Sequence, residues 1–302
     1  MQMETKIPET PRPAATVILI RPHRDEFQVY LLKRNENSGF MGGYYVFPGG
    51  TVDSEDRDAG IWQQHVDMAV EEMVLRLGGG MDIEDILTYG VAALRETFEE
   101  AGVLLVRQAQ QREDDLERIC RRRSVGPLSR GWFRELIVSE GWILAFNRLK
   151  RWAHWITPEL MKRRYDTRFF LTVLSEEQVC RPDRHETIHG LWITPREGLM
   201  GNLDGRIPLS PPTLVTLHEL SGYRRMKDFE SALESRSWGA SLFPRLVPME
   251  NGAVIIEPWD PHHRQDVITF DLQTLEKAVL PIEAPFSRIW LHKGIWRAVA
   301  CV

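Results

Sequence analysis

Residues 93–105 read ALRETFEEAGVLL, and the three glutamates packed into this short stretch constrain the chain more than any other feature. On a helical wheel of ~100° per residue, with Glu96 at zero, Glu100 falls near about +40° and Glu99 near about −60°. All three carboxylates therefore share one sector, and Ala92 and Ala93 precede them there without bulk to block it. Leu87, Leu94, Phe98 and Ala101 fall on the opposite side, which predicts a core-facing stripe. Thr88 can cap the start and Gly102 can end the helix in the left-handed conformation. The carboxylates then stand near a helix C-terminus, whose partial negative charge worsens their repulsion. A solvated face normally mixes signs, and here Arg95 alone offsets the charge. A bound divalent cation resolves the conflict, since Mg²⁺ takes carboxylate oxygens and keeps waters for a phosphate ligand. The plainer alternative is an acidic face left to solvent.

A second motif, FPGGTVDSED at 47–56, favours the cation. Arg95, Glu96, Thr97, Phe98, Glu99, Glu100, Ala101, Gly102 and Val103 resemble the second half of the Nudix box, R-E-U-x-E-E-x-G-U with U apolar; Thr97 departs from the apolar preference. A strict reading of the first half puts Leu87 where a glutamate belongs. Gly50-x5-Asp56 restores the spacing within that half, with aspartate for glutamate. Thirty-eight residues then separate Asp56 from Arg95 where the pattern has seven, which is an insertion of 31 residues. A surface loop tolerates such an insertion, but the role of Asp56 is left open.

The wider chain is similar to the coenzyme A diphosphatases of that superfamily with a long insertion inside the box. The stretches LLKRNENSGFMGGYYVFPGGTVD (31–53), ITPELMKRRYDTRFFL (156–171) and ETIHGLWITPREGL (186–199) carry the likeness with residues 92–105. The resemblance implies an α/β/α sandwich with a mixed sheet and Mg²⁺- or Mn²⁺-dependent hydrolysis of a nucleoside diphosphate derivative. Coenzyme A or its acyl thioesters are the favoured substrates. It implies Glu96, Glu99 and Glu100 as metal ligands and Arg95 as the residue that orients them. Gly49 and Gly50 suit a turn whose N–H groups approach the diphosphate. The proton acceptor is open between Glu100 and Glu186, the latter opening a predicted strand. Arg34, and Arg163 or Arg164 in MKRRYDTRFF, are candidate phosphate contacts; Phe40 and Met41 line a pantetheine arm or anchor a loop. Trp132, Trp142, Trp152 and Trp155 read as core, with adenine stacking as the alternative for one of them. His262 and His263 read as loop histidines.

The remaining composition narrows the alternatives. A net charge of −5 without a basic half argues against nucleic acid. Three scattered cysteines suit a reducing cytoplasm, and no apolar run reaches membrane-spanning length. The expected organisation is a disordered tail at 1–14 and a hydrolase domain at 15–222 with insertions at about 57–86 and 108–150. Residues 223–302 would form an extension: a β-rich cap, a lid or a homodimer contact. Strands are predicted at 15–21, 27–34, 44–47, 103–107, 151–157, 166–174, 186–194, 253–257, 267–270, 288–292 and 296–299. Helices are predicted at 61–77, 110–123, 131–149, 195–202, 211–222 and 224–236 besides the glutamate helix. Rival substrates are ADP-ribose, NADH or a capped RNA end. A rival class is a nucleotide-binding regulator without catalysis, which Asp56, Thr97 and the extension would support.

Overall fold

The computed structural model describes residues 9–107, 118–123 and 128–301. Its centre is a mixed seven-stranded sheet of order β3-β2-β1-β6-β5, with β4 also on β1 and β7 also on β2. The strands are β1 (Arg12–His23), β2 (Glu26–Arg34), β3 (Tyr45–Val46), β4 (Gly49–Thr51), β5 (Lys150–Ile156), β6 (Tyr165–Val173) and β7 (Thr187–Ile193). The central pair β1 and β6 runs parallel and the other pairs are antiparallel. β1 begins three residues before the predicted strand.

Helices cover both faces of this sheet, so its inner strands read as nearly continuous apolar runs. Ala15, Val17 and Leu19 of β1 face the long glutamate helix, while Ile18 and Ile20 face the other way; all are fully buried. The helices are α1 (Ala59–Trp62), α2 (Val70–Met73), α3 (Ile83–Ala101), α4 (Trp132–Glu140), α5 (Pro195–Leu203), α6 (Pro211–Ser221), α7 (Met226–Glu234) and α8 (Leu272–Lys277). α3 packs on one face with α4 and the segments around it. α6 and α7 cover the opposite face through Leu214, Leu217, Leu220, Phe229 and Leu233.

A second, antiparallel four-stranded sheet has the order β11-β10-β9-β8, formed by β8 (Arg245–Met249), β9 (Gly252–Ile256), β10 (Arg288–His292) and β11 (Ile295–Val299). Its inner face sets Ile255, Ile289 and Trp296 against the main sheet. Its outer face buries Val254, Ile256 and Trp290 with Leu275 of α8. No helix among the described residues is long and apolar enough to cross a membrane.

Several predicted elements are shorter or absent. The stretch 61–77 is not one helix: Val66 bridges to Leu144 and the N–H of Asp67 donates to Leu144 O (3.1 Å), a long-range pairing that local periodicity does not reveal. The same pairing ends the helix expected at 131–149, which stops at left-handed Gly141. Residues 103–107 contribute one isolated bridge, Val106 to Leu144, and 267–270 form no strand. Strand β8 was not foreseen. The helix predicted at 110–123 lies largely outside the described residues; 118–123 are helical. The glutamate helix starts five residues before Thr88, capped by Asp82 accepting from the Asp85 N–H (2.8 Å). Thr88 is instead buried within it.

Gly90 of α3 shows how tightly that helix is held. A Cβ there would lie 2.5 Å from Phe146 Cζ. Alanine would gain about 1 kcal/mol of helix propensity, but overpacking costs ~1–3 kcal/mol. Gly90→Ala is therefore expected to lower the thermal unfolding midpoint. A midpoint equal to wild type or higher would show that Phe146 yields freely.

Candidate active site

α3 ends at Gly102 with φ 71°, whose N–H closes the last turn on Phe98 O (2.9 Å). Phe98, Leu94, Leu87 and Ala101 are buried as the wheel predicts, and so are Ala92 and Ala93. The helix thus cannot rotate, and Glu96, Glu99 and Glu100 are presented in one direction.

Arg95 organises what they meet. Its Nε and Nη2 donate to the two carboxylate oxygens of Asp56 (3.0 and 2.9 Å), and Nη2 also donates to Thr51 O (2.8 Å). Its Nη1 donates to Glu96 (2.8 Å) and Glu99 (2.9 Å). Every N–H direction of the guanidinium is thereby used. Asp56 is 1% exposed and also accepts from the Asp53 N–H (2.8 Å). The residue left open by the sequence is the inner partner of Arg95, 39 positions away along the chain. Thr97 is buried and its hydroxyl donates to Ala93 O (2.7 Å), so the departure at that position is satisfied within the helix.

The two glycines of β4 let the sheet approach the carboxylates. The Gly49 N–H donates to Glu100 Oε2 (2.9 Å). A Cβ on Gly50 would lie 2.6 Å from Glu96 Oε1, and one on Gly49 would lie 2.5 Å from Ala15 O. No side chain fits at either position without a shift. Arg34, at the end of β2, stands 3.8 Å from Glu100 and 4.0 Å from Glu186. Glu186 is largely exposed, on a loop shaped by Asp183, which accepts from the N–H groups of His185, Glu186 and Thr187.

Burial raises the proton affinity of Glu96, Glu99 and Glu100 above the ordinary carboxylate range. Neighbouring carboxylates add to this, and Arg95 and Arg34 oppose it only in part. Burial also pushes Asp56 up against the pull of Arg95. Arg95 is held charged: burial works against it, but Glu96, Asp56 and Glu99 outweigh that. A cluster of hard oxygen donors left short of positive charge fits a divalent cation. Glu96, Glu99 and Glu100 are the residues that would hold it.

These groups line one end of a cavity of about 790 Å³. Arg163 lines it too, its guanidinium lying over Gly39, where a Cβ would displace it. Arg164 does not: its Nε and Nη1 are committed to Thr157 O (3.2 Å) and Glu9 O (2.8 Å). Of the two candidates for a phosphate contact, Arg164 is thereby set aside from the cavity, and Arg163 lines it. Phe40 and Met41 both line the cavity, Phe40 edge-on to Tyr165 at 4.9 Å. Trp132 stacks on Phe98 (5.7 Å) in the core, and Trp152 is core as well. Trp155 reaches the cavity, as do Ile255, Glu257 and Trp296 from the second sheet. Sequence reasoning missed these last three; a glutamate directly after the apolar run AVII was the one available signal. Asp260, His262 and Cys301 also converge, but Arg288 donates to Asp260 (2.8 Å) and touches His262 (2.6 Å), so a cation already sits among them.

The comparisons agree with this geometry. Residues 75–220 match the family model described as the NUDT19 Nudix domain. Residues 75–220 thus carry a Nudix domain. It is similar to the acyl-coenzyme A diphosphatase NUDT19 of Xenopus laevis, 26% identical over 83% of this chain and 75% of the relative. It is similar also to the human protein of that name, 27% identical over 86% and 77%. Among solved structures, a Nudix hydrolase from Alicyclobacillus acidocaldarius superposes with a TM-score of 0.58 at 27% identity, covering 76% of this chain and 99% of that one. The Gly50–Asp56 stretch lies before the matched span, and Asp56 meets the glutamate helix through Arg95.

Two outcomes follow for the site. Asp56→Ala leaves a buried guanidinium short of its inner partner, and breaking such a pair costs ~3–5 kcal/mol. Urea unfolding should show a loss of that size, and a loss below about 1 kcal/mol would mean Arg95 is held by other contacts. The second outcome concerns pH. Because the folded carboxylates bind protons more tightly than unfolded ones, their contribution to stability is full below the ordinary carboxylate pKa. It is lost as pH rises through their raised values. The metal-free protein should therefore unfold at lower urea at pH 8 than at pH 6. The difference should shrink in a Glu96→Gln, Glu99→Gln, Glu100→Gln variant; an unchanged difference would show that these carboxylates titrate normally.

Proposed function

We propose that this Nudix hydrolase cleaves the diphosphate of coenzyme A or an acyl thioester of it, giving 3′,5′-ADP and (acyl)phosphopantetheine. The supporting observation is the cavity itself: it is lined by the carboxylates of α3, by Gly49 and Gly50, by three arginines (Arg34, Arg95 and Arg163) and by apolar residues from both sheets. The Gly49 N–H, expected to approach the diphosphate, is instead committed to Glu100. The names of the similar proteins point the same way. We assign residues 15–222 to catalysis and 223–302 to completing the cavity wall. Three cysteines free of disulfides suit a cytoplasmic setting.

Glu96, Glu99 and Glu100 hold Mg²⁺ or Mn²⁺ in this reading, and Arg95 fixes two of them in place. Bound there, the cation supplies neutralisation of the polyanionic diphosphate and acidification of water. The protein's own part is placement. The bare Gly50 lets the Glu96 carboxylate lie against the backbone of β4, and Arg34 and Arg163 take phosphate oxygens. Water adds its oxygen to one phosphorus, the bridging oxygen leaves with the other, and a carboxylate accepts the proton. Glu100 is one candidate, its proton affinity raised by burial and by Glu96. Glu186 is the more accessible one, and both face Arg34. The features that favoured a silent binder lose that weight, because Asp56 and Thr97 each satisfy a structural need.

The test is product analysis. With Mg²⁺ or Mn²⁺, purified protein should convert coenzyme A to 3′,5′-ADP and phosphopantetheine. Glu100→Gln should lower kcat at least ~10²-fold while the thermal midpoint holds. Cleavage of ADP-ribose or NADH but not coenzyme A would overturn the substrate assignment. Turnover of none of these would overturn the enzymatic one.

A further inference from the structure

The cavity has a second polar feature, far along the chain from the glutamates of α3. Glu257 follows β9, and its N–H donates to Ser287 O (2.8 Å), which continues the ladder with β10 by one residue. Side chains alternate along a strand, so Glu257 shares the face of Ile255, the face that packs on the main sheet. It lines the same cavity and is 0% exposed. Neither of its oxygens has a hydrogen-bond partner among the described residues, and the same is true of the indole N–H of Trp155, which lines the cavity from β5. Native proteins rarely leave such groups unpaired, because each keeps the cost of its lost hydration uncompensated. A buried acceptor and a buried donor facing one apolar space complement a group that offers both functions. A secondary amide does so, its N–H meeting the carboxyl and its carbonyl meeting the indole.

We propose that Glu257 and Trp155 hydrogen-bond an amide of the substrate's non-nucleotide arm, so that the second sheet is a specificity wall of the active site. This inference rests on the diphosphatase reading given above. The cations that line the cavity are Arg34, Arg95 and Arg163, all placed with the glutamates or the Gly39 loop. The same cavity is lined by the apolar Phe169, Pro244, Ile255 and Trp296, Ile255 sharing the strand face of Glu257. A nucleotide half carrying a 3′-phosphate brings charge that this end does not take. A neutral chain of amides and methylenes does fit it. Burial lifts the Glu257 carboxyl to about 8, so near neutrality it is mostly uncharged and suits a neutral ligand.

The experiment is calorimetric titration of phosphopantetheine and of 3′,5′-ADP into Mg²⁺-loaded wild type, Glu257→Leu, Glu257→Gln and Trp155→Phe, with thermal midpoints alongside. Glu257→Leu should weaken phosphopantetheine at least tenfold and leave 3′,5′-ADP within twofold. It should also raise the midpoint, because an unpaired buried carboxyl is removed. Glu257→Gln, which keeps an acceptor, should stay within a few-fold of wild type, and Trp155→Phe should weaken phosphopantetheine alone. If 3′,5′-ADP is weakened instead, or if neither ligand changes, the proposal is wrong. If the midpoint falls and both ligands weaken together, Glu257 is structural and the proposal is again wrong. If wild type binds neither product, the diphosphatase reading fails first and takes this inference with it.

Discussion

The site depends on one buried cation. Arg95 donates outward to Glu96 and Glu99 and inward to Asp56 and Thr51 O. The inward contacts fix the guanidinium plane, and the plane then fixes two carboxylates that would otherwise repel one another. A buried ion pair is weak evidence for stability as such, since a well-packed apolar pair often does as well. Its consequence here is geometric: Glu96 and Glu99 are held together on a helix that cannot turn, with one guanidinium against more carboxylate charge than it can neutralise.

The sheet completes the arrangement by omission. Gly49 donates its N–H to Glu100, and the bare Gly50 lets the Glu96 carboxylate lie against the backbone. The same cavity is lined by Thr16 of β1 and Phe169 of β6, on the face opposite α3, and by residues of the second sheet. The carboxylate cluster on one side of the main sheet and the second sheet on the other thus line one cavity, with two residues that have no side chain between them.

Much of this was legible in the sequence where local periodicity governs. The wheel placed Glu96, Glu99 and Glu100 together and Leu94 and Phe98 in the core, because a helix buried on several sides keeps its 3.6-residue period. The helix start was misjudged, because Ile83, Ile86 and Leu87 extend the apolar stripe past Thr88 to Asp82. Residues 61–77 have helical spacing too, but pairing with Leu144, more than 60 positions on, prevails. Arg163 and Arg164 are adjacent and equivalent in the sequence; the turn before β6 sends one to the cavity and the other to backbone carbonyls. Local spacing picks out Asp56 but not its partner, and passes over Glu257, because both settings depend on distant contacts. One is defined by contact with α3 and the other by the packing of two sheets.

The central claim is that the carboxylate cluster is a cation site whose charge Arg95 cannot satisfy alone. Mn²⁺ titration of the full chain at pH 8, followed by calorimetry in two buffers of different ionisation enthalpy, tests it most directly. The account predicts Mn²⁺ uptake accompanied by proton release, because raised carboxylates must deprotonate to bind, and its loss in Glu96→Gln and in Glu100→Gln. No uptake, or uptake indifferent to both substitutions, would contradict it.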